Sequence, residues 1–139
     1  MKPEAPPKAV LRLREAGLRP TRQRVALARL LLENGGRHIT AEQLHGEARA
    51  AAIRVSLATV YNTLHQFTGA GLLREVVVEP GRSYFDTNTT EHHHFFDEAK
   101  SELLDIGGDG IVISGLPRPP SGTEVRRLEI IVRLGPDRH

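Results

Sequence analysis

The amino-acid sequence predicts an α+β fold, because the spacing of its apolar residues changes partway along the chain. Up to about residue 71, apolar side chains recur at the three- and four-residue intervals of amphipathic helices. From residue 72 onward that helical spacing is lost and apolar residues fall in short segments that read as strands. With 139 residues, of which 39% are apolar, the chain is long enough for one ordinary domain or two small ones.

Two helices with recognisable ends are predicted first along the chain. The first covers residues 8–16 and is stopped by Gly17. Thr21 can cap the second helix, which the run Asn34-Gly35-Gly36 ends. The apolar stripe of this second helix consists of Val25, Leu27, Ala28, Leu31 and Leu32.

Two further helices follow before the pattern changes. Thr40 and Gln43 have the spacing of a capping box, which predicts the start of a third helix. Ser56 can cap a fourth helix, and Gly71 lies just past its end. The face of the fourth helix that we expect to be buried consists of Leu57, Val60, Leu64 and Phe67.

A β-hairpin is predicted over residues 72–86, with its turn at Glu79-Pro80-Gly81-Arg82. Short helices followed by a hairpin have the order of a winged helix-turn-helix domain, whose last helix enters the major groove of DNA. We therefore predict such a domain over residues 1–86, with residues 1–7 flexible.

The second half of the chain is predicted to form a small sheet. Strands are expected within residues 92–106 and at 111–114, and residues 116–122 read as a Pro-rich connector. The last strand is expected within residues 123–134, where Leu128, Ile130, Val132 and Leu134 lie at alternate positions. So few strands need a partner surface for their apolar face, so we predict that residues 87–139 form a dimerisation domain.

Composition excludes several classes of protein. The chain has no cysteine, which rules out disulfides, thiolate zinc sites and thiol catalysis. It has no apolar run near the roughly 20 residues needed to span a bilayer, and no signal peptide, so a cytoplasmic protein without a membrane partner is expected. The net charge of +2 is small, but the first 30 residues are strongly basic, which favours phosphate contacts.

The outward face of the fourth helix is small and polar, as a groove-reading surface requires. It is expected to include Ser56, Ala58, Thr59, Tyr61, Asn62 and Thr63. Tyr61 could place its ring against a thymine methyl group, and Asn62 could bond an adenine edge. Ser56 and Thr59 suit phosphate contacts. An ordinary solvent-facing helix has similar residues, but the basic N-terminal segment and Arg82 in the hairpin favour DNA.

Three adjacent histidines lie in the stretch FDTNTTEHHHFFDEAK, residues 85–100. Because alternate residues of a strand share a face, His92 and His94 are expected to point one way and His93 the other. Two imidazoles at this spacing suit one metal ion, a haem site would use one of them, and a polar strand would use none. Acidic candidates nearby in the sequence are Asp86, Glu91, Asp97 and Asp105, and His38 begins the third helix.

Four stretches resemble the ferric uptake regulator family of bacterial transcription factors, and the resemblance runs from about Leu11 to Leu134. They are GLRPTRQR (17–24), HITAEQL (38–44), SLATVYNTL (56–64) and YFDTN (84–88). A triple histidine before aromatic residues, without a following CxxC, most resembles the iron response regulator (Irr) branch. That branch is associated with haem-dependent control of iron and haem metabolism.

The resemblance implies an architecture and a set of DNA contacts. The protein is expected to be a homodimer with an N-terminal winged helix-turn-helix domain and a C-terminal α/β dimerisation domain. Tyr61 and Asn62 would read bases of an AT-rich palindromic operator, and Arg19 would reach the minor groove. The complete set of expected DNA-binding residues is Arg19, Arg24, Ser56, Thr59, Tyr61, Asn62 and Arg82.

The resemblance also implies a regulatory metal site that draws on both domains. Its expected ligands are His38, Asp86, His92, His94 and Asp105. Such nitrogen and oxygen ligands suit Mn²⁺ or Fe²⁺, with Zn²⁺ able to bind in vitro, and occupancy would tune DNA affinity. Haem is expected at the triplet His92, His93 and His94, beside Phe95 and Phe96.

The chain departs from the family in two places. Asp97-Glu98-Ala99-Lys100 stands where many members have CxxC, so a four-cysteine structural zinc site cannot form. A second metal site of the family is mostly lost: its first two ligands would fall at Glu91 and His93, but Arg127 stands where a histidine is common.

These observations predict a dimeric, ligand-responsive regulator of iron or haem metabolism, and not an enzyme. One alternative is a Mn²⁺- or Fe²⁺-responsive repressor without haem sensing. Another is a metallohydrolase built on His92, His94 and a carboxylate, although the chain has no HExxH motif or nucleophile elbow. A haem carrier is the third. His45 and His65 are expected to be surface or packed residues, and His139 is terminal.

Overall fold

The computed structural model describes residues 7–33, 35–90, 92–107 and 110–138. It divides into an N-terminal unit that ends at Thr89 and a C-terminal unit that begins at Thr90. No helix in the described part of the chain is long and apolar enough to cross a membrane. The predicted flexibility of residues 1–7 falls almost wholly on residues outside the described ranges.

The N-terminal unit contains four helices and three strands, as the α+β prediction requires. In chain order they are α1 (Lys8–Glu15), α2 (Arg22–Leu32), β1 (His38–Ile39), α3 (Ala41–Ala50), α4 (Leu57–Gly69), β2 (Arg74–Glu79) and β3 (Arg82–Asp86). The C-terminal unit contains β4 (His93–Asp97), β5 (Glu102–Ile106) and β6 (Ile131–Leu134).

The predicted helix caps are confirmed. The Thr21 hydroxyl accepts a hydrogen bond from the backbone N–H of Arg24. At α3 the capping box is complete, because Thr40 and Gln43 each accept the other's backbone N–H, at 3.1 and 2.9 Å. Such a cap contributes about 1 kcal/mol to stability, so these local signals help to fix where the helices begin.

The helices pack on one another around a core whose composition differs from the prediction at two positions of α4. Val60, Leu64 and Phe67 are buried as expected, but Leu57 is 36% exposed. Leu57 is the first residue of the helix, ahead of the turns that pack. Thr63, expected to face outward, is only 5% exposed because it lies on the same stripe, three residues after Val60.

A three-stranded sheet with the order β1-β3-β2 completes the N-terminal unit. The predicted hairpin is present as antiparallel β2 and β3, with an irregularity between Val77 and Glu79. The two-residue strand β1 was not predicted, and the expectation that His38 begins the third helix was wrong, because α3 begins at Ala41 after its Thr40 cap. Strand β1 pairs with β3 so that His38 lies opposite Asp86.

The C-terminal unit is a sheet with the order β5-β4-β6, in which β4 is antiparallel to β5 and parallel to β6. The predicted strand region 92–106 divides into β4 and β5 around a turn in which the Asp97 carboxylate accepts the backbone N–H groups of Ala99 and Lys100, both at 3.1 Å. The turn that replaces CxxC is therefore closed by a carboxylate.

Two strand predictions in the C-terminal unit were wrong, one in the existence of the strand and one in its length. Residues 111–114 are not a strand, and the last strand is limited to Ile131–Leu134. A strand needs a hydrogen-bonding neighbour, and within the described ranges of this single chain none pairs with residues 111–114. Val112 is accordingly 91% exposed.

Candidate metal-ligating groups and nucleic-acid interface

The C-terminal unit brings two histidines and a carboxylate together. In the β4–β5 register, His94 lies opposite Asp105. The Nε2 atoms of His92 and His94 lie 3.0 and 3.3 Å from Asp105 Oδ1, and the two rings are 4.4 Å apart. Both histidines are buried, so the expectation that they share a face is confirmed. Three nitrogen and oxygen ligand atoms therefore face a common point.

The backbone fixes the tautomer of His92. Its Nδ1 lies 2.7 Å from the carbonyl oxygen of Thr90, which can only accept a hydrogen bond. Nδ1 must therefore carry the proton in the neutral ring, which leaves the lone pair on Nε2, the atom that faces Asp105 Oδ1. The ring is already oriented as a metal ligand requires.

His93 has a different role from its two neighbours. Its Nδ1 accepts a hydrogen bond of 3.0 Å from the backbone N–H of Ile130, on the segment that leads into β6. The neutral ring then carries its proton on Nε2. Phe96 is fully buried, as expected of a core residue, and the Arg133 guanidinium lies 5.9 Å from its ring centre.

The N-terminal unit carries a second group, formed by the unpredicted strand β1. His38 Nε2 lies 3.1 Å from Asp86 Oδ2, and Asp86 is 1% exposed. The other oxygen of Asp86 accepts the backbone N–H of Asn88 at 2.8 Å. A hydrogen bond from the backbone stabilises the ionised carboxylate, so Asp86 is suited to hold a cation.

The residue before His38 anchors that strand. Arg37 Nη1 donates to the carbonyl oxygen of Leu30 and to Glu47 Oε1, both at 2.8 Å. Its backbone N–H donates to the Thr87 hydroxyl at 2.8 Å. The hydrogen bonds between the two side chains raise the pKa of Arg37 and lower the pKa of Glu47, and the Coulomb attraction adds to both shifts. Arg37 therefore ties β1 to α2, α3 and the end of β3.

On α4, the two predicted base-reading residues differ in their contacts within the unit. Asn62 is exposed. The Tyr61 hydroxyl donates to Glu42 Oε1 at 2.7 Å, and this hydrogen bond to a carboxylate raises the pKa of Tyr61 above its ordinary value. Ser56 and Thr59, predicted as phosphate contacts, bond each other at the helix cap.

Arg24 is also engaged within the unit. Its guanidinium donates to Gln66 Oε1 from Nε and Nη2, at 3.3 and 3.1 Å, and from Nη1 to the carbonyl oxygen of Arg19 at 3.1 Å. Arg24 therefore holds the Arg19 segment against α4, while the Arg19 side chain is exposed. Arg82 is half-buried in the hairpin.

The sequence analysis missed several residues that lie near the predicted DNA-binding side chains. Glu42 and Gln66 contact predicted DNA-binding residues, but they are 19 and 42 positions away along the chain, so no local pattern indicates them. Arg49 and Arg54 line a cavity of about 350 Å³ at the turn between α3 and α4, and their basic charge just before the fourth helix was an available signal.

The other histidines are mostly as expected, with His45 packed against the Val55 carbonyl oxygen at 3.2 Å and His65 exposed. Glu91 and His139 lie outside the described residues.

Comparisons with known proteins agree on one family. The profile of the ferric uptake regulator family matches residues 15–113. The peroxide-responsive repressor PerR of Staphylococcus epidermidis is 33% identical over 98 residues, which are 70% of this chain and 65% of that protein. PerR of Staphylococcus aureus is equally similar, with 66% of its length covered. The chain thus spans just under two thirds of the length of these relatives.

Solved structures share the fold. The ferric uptake regulator of Pseudomonas aeruginosa, determined with manganese, has a TM-score of 0.68 at 23% identity, covering 93% of this chain and 98% of that one. The Vibrio cholerae ferric uptake regulator has a TM-score of 0.71 at 22% identity, covering 91% and 98%.

Proposed function

The chain belongs to the ferric uptake regulator family, and from this premise we propose that it is a metal-responsive transcription regulator that binds operator DNA as a homodimer. The observation that carries the proposal is the group formed by His92, His94 and Asp105, in which two imidazole nitrogens and a carboxylate oxygen already converge. Family members are transcription regulators, so the metallohydrolase alternative has no support.

We propose that His38 and Asp86 complete the same site. Each of the two groups is incomplete for a five- or six-coordinate cation, and each contains buried histidine or aspartate side chains that a positive charge would stabilise. Ligands consisting only of nitrogen and oxygen favour Mn²⁺ or Fe²⁺, and Zn²⁺ can bind as well. The resident ion would cross-link the two units and bias their relative orientation, which is how occupancy would change DNA affinity.

DNA recognition is assigned to the N-terminal unit. Tyr61 and Asn62 would read base edges, while Arg19, Arg24, Ser56, Thr59 and Arg82 would contact the backbone or hold the segments that do. We propose a palindromic operator, since a two-fold symmetric dimer reads two half-sites. The family resemblance implies that this operator is AT-rich.

Dimerisation is assigned to the C-terminal unit. Among its described residues, several large apolar side chains are 37–91% exposed in the single chain: Leu104, Val112, Ile113, Leu116, Val125 and Leu128. A second copy would cover such a surface. Sedimentation of the purified protein is expected to give the mass of a dimer, and a monomer at micromolar concentration would contradict this assignment.

The decisive test couples metal binding to DNA binding. A binding site selected from random DNA is titrated with protein in EDTA and with Mn²⁺, for the wild type and for His94→Ala. We expect Mn²⁺ to change wild-type affinity by tenfold or more, a typical allosteric coupling of about 1.4 kcal/mol, and to have no effect on His94→Ala. The control is His45→Ala, because His45 lies on α3 and is not a proposed ligand. Equal affinity with and without metal in the wild type would contradict the proposal.

A finer proposal, supported by the resemblance to the Irr branch, is that the regulator senses haem and serves iron or haem metabolism. Ligation of haem iron by His93 Nε2 requires the proton to move to Nδ1, which breaks the bond from Ile130. Ligation by His92 or His94 competes with the metal ion. We therefore expect Mn²⁺ and a haem ligated by His92 or His94 to displace each other, which a titration followed in the Soret band measures. A Soret shift that leaves DNA affinity unchanged would contradict haem sensing.

A further inference from the structure

Glu42 is a carboxylate on the surface that is proposed to approach DNA, where phosphates repel negative charge. It is the acidic residue in the first turn of α3, and its Oε1 accepts a hydrogen bond from the Tyr61 hydroxyl at 2.7 Å. It is exposed, so it contributes little to the core. A charge so unfavourable for DNA affinity calls for a role in recognition.

The tyrosine ring is also supported from its other side. His65, one turn later on α4, stacks on Tyr61 with centroids 6.5 Å apart and planes 19° apart. His65 in turn contacts the buried Phe85 ring edge-on, with centroids 5.7 Å apart. The ring therefore lies between a hydrogen bond to α3 and a stack that continues to the hairpin, and its orientation is fixed before DNA binds.

The hydrogen bond determines which partners the hydroxyl can take. A tyrosine hydroxyl has one proton, and that proton is engaged in the hydrogen bond to Glu42. Towards the major groove the oxygen can then only accept, which suits the amino groups of adenine and cytosine. The hydroxyl then has no proton left to donate to guanine O6 or N7, thymine O4 or a phosphate oxygen. The ring face still suits a thymine methyl group.

We propose that Glu42 is a specificity-determining residue, which acts by holding the Tyr61 hydroxyl as an acceptor and thereby restricts the bases that Tyr61 tolerates. The inference rests on the proposed DNA-binding function and deepens it. Glu42 acts through Tyr61 and positions it, so its loss should alter discrimination between bases more than total affinity.

The test measures base preference, by competition between DNA sites that differ at single positions, for the wild type, Glu42→Ala, Glu42→Gln and Tyr61→Phe. The base position at which Tyr61→Phe changes the preference is the one that Tyr61 reads. At that position we expect Glu42→Ala to lower discrimination between bases roughly tenfold, which is within the range of one good base contact. A variant that combines Glu42→Ala with Tyr61→Phe should discriminate between bases no worse than either single variant. The amide oxygen of Glu42→Gln can still accept the hydrogen bond from Tyr61. This variant should therefore retain most of the discrimination, although, like Glu42→Ala, it lacks the negative charge.

Two outcomes of the competition experiment overturn the inference. One is a uniform gain in affinity for all sequences in both Glu42 variants, with base preference unchanged, which indicates only a charge effect. The other is independent, multiplicative effects of the Glu42 and Tyr61 substitutions. If the wild type selects no sequence at all, the proposed function itself fails and this inference with it.

A measurement without DNA checks the contact itself. The chain has two tyrosines, so ¹³Cζ-tyrosine labelling gives two NMR signals, and Tyr61→Phe assigns them. The pKa of Tyr61 should fall towards its ordinary value in Glu42→Ala. An unchanged Tyr61 titration would show that the pair does not form in solution and would overturn the inference.

Discussion

Replacing Arg37 with alanine should destabilise the N-terminal unit, because Arg37 anchors the short strand that carries His38. The substitution removes the hydrogen bonds to Leu30 and to Glu47. The Arg37 and Glu47 side chains are 22% and 38% exposed, between a surface pair and a buried one. A surface pair contributes about 0.2–1 kcal/mol and hydrogen bonds to charged groups about 1.5–3 kcal/mol. We therefore expect a loss of about 1–2 kcal/mol in the free energy of unfolding at pH 7.

The effect should depend on pH in a direction set by Glu47. Its pKa is lowered in the folded state by the hydrogen bond to Arg37, from an ordinary value of 4.5. The contribution of the pair is therefore complete above that value and is lost as pH falls through the lower folded pKa. The difference between wild type and Arg37→Ala should therefore shrink as pH falls below 4.5.

Urea unfolding of the metal-free protein, followed by tyrosine fluorescence, measures this difference. The chain has no tryptophan, and Tyr61 and Tyr84 both lie in the N-terminal unit, so the signal reports that unit. The control is Arg29→Ala, which breaks an exposed pair with Glu33 at 3.8 Å and should cost less than about 0.5 kcal/mol. An Arg37→Ala effect that equals the control, or that stays constant as pH is lowered from 7 to well below the ordinary Glu47 pKa of 4.5, would refute the reasoning.

Three further predictions concern the helices and the turn that replaces CxxC. Gln66→Ala should weaken operator binding by releasing Arg24 without changing the dependence on salt, measured by fluorescence anisotropy, whereas loss of a phosphate contact lowers the slope by about one. Leu64→Ala should lower the free energy of unfolding of the N-terminal unit by about 2–5 kcal/mol, because Leu64 is fully buried, and a smaller loss in urea titrations would contradict its place in the core. Asp97→Ala should loosen the β4–β5 turn and speed amide exchange at Ala99 and Lys100 in the presence of EDTA, and unchanged exchange would show that the carboxylate does not close the turn.

The parts of the fold that the sequence predicts are those with local signals. Thr21, Thr40 and Ser56 each cap a helix with atoms three residues away, so their patterns remain valid in the folded chain. The hairpin of β2 and β3 likewise follows from a turn between two alternating segments. The shared face of His92 and His94 needs only the two-residue period of a strand.

The parts that were missed depend on distant partners. Strand β1 has only two residues and exists because β3 offers it a hydrogen-bonding edge. Residues 111–114 have the composition of a strand but no such edge within the described chain, so composition alone misassigned them. The contact of Tyr61 with Glu42 joins two helices, and nothing in either segment indicates the other.

The central claim is that one metal ion takes ligands from both units, and a crystal structure of the Mn²⁺-loaded protein with anomalous diffraction tests it most directly. We predict a single strong manganese peak bonded to His38 and Asp86 as well as to His92, His94 and Asp105. A manganese ion bound only by the C-terminal group, with the His38–Asp86 pair left intact, would contradict the claim.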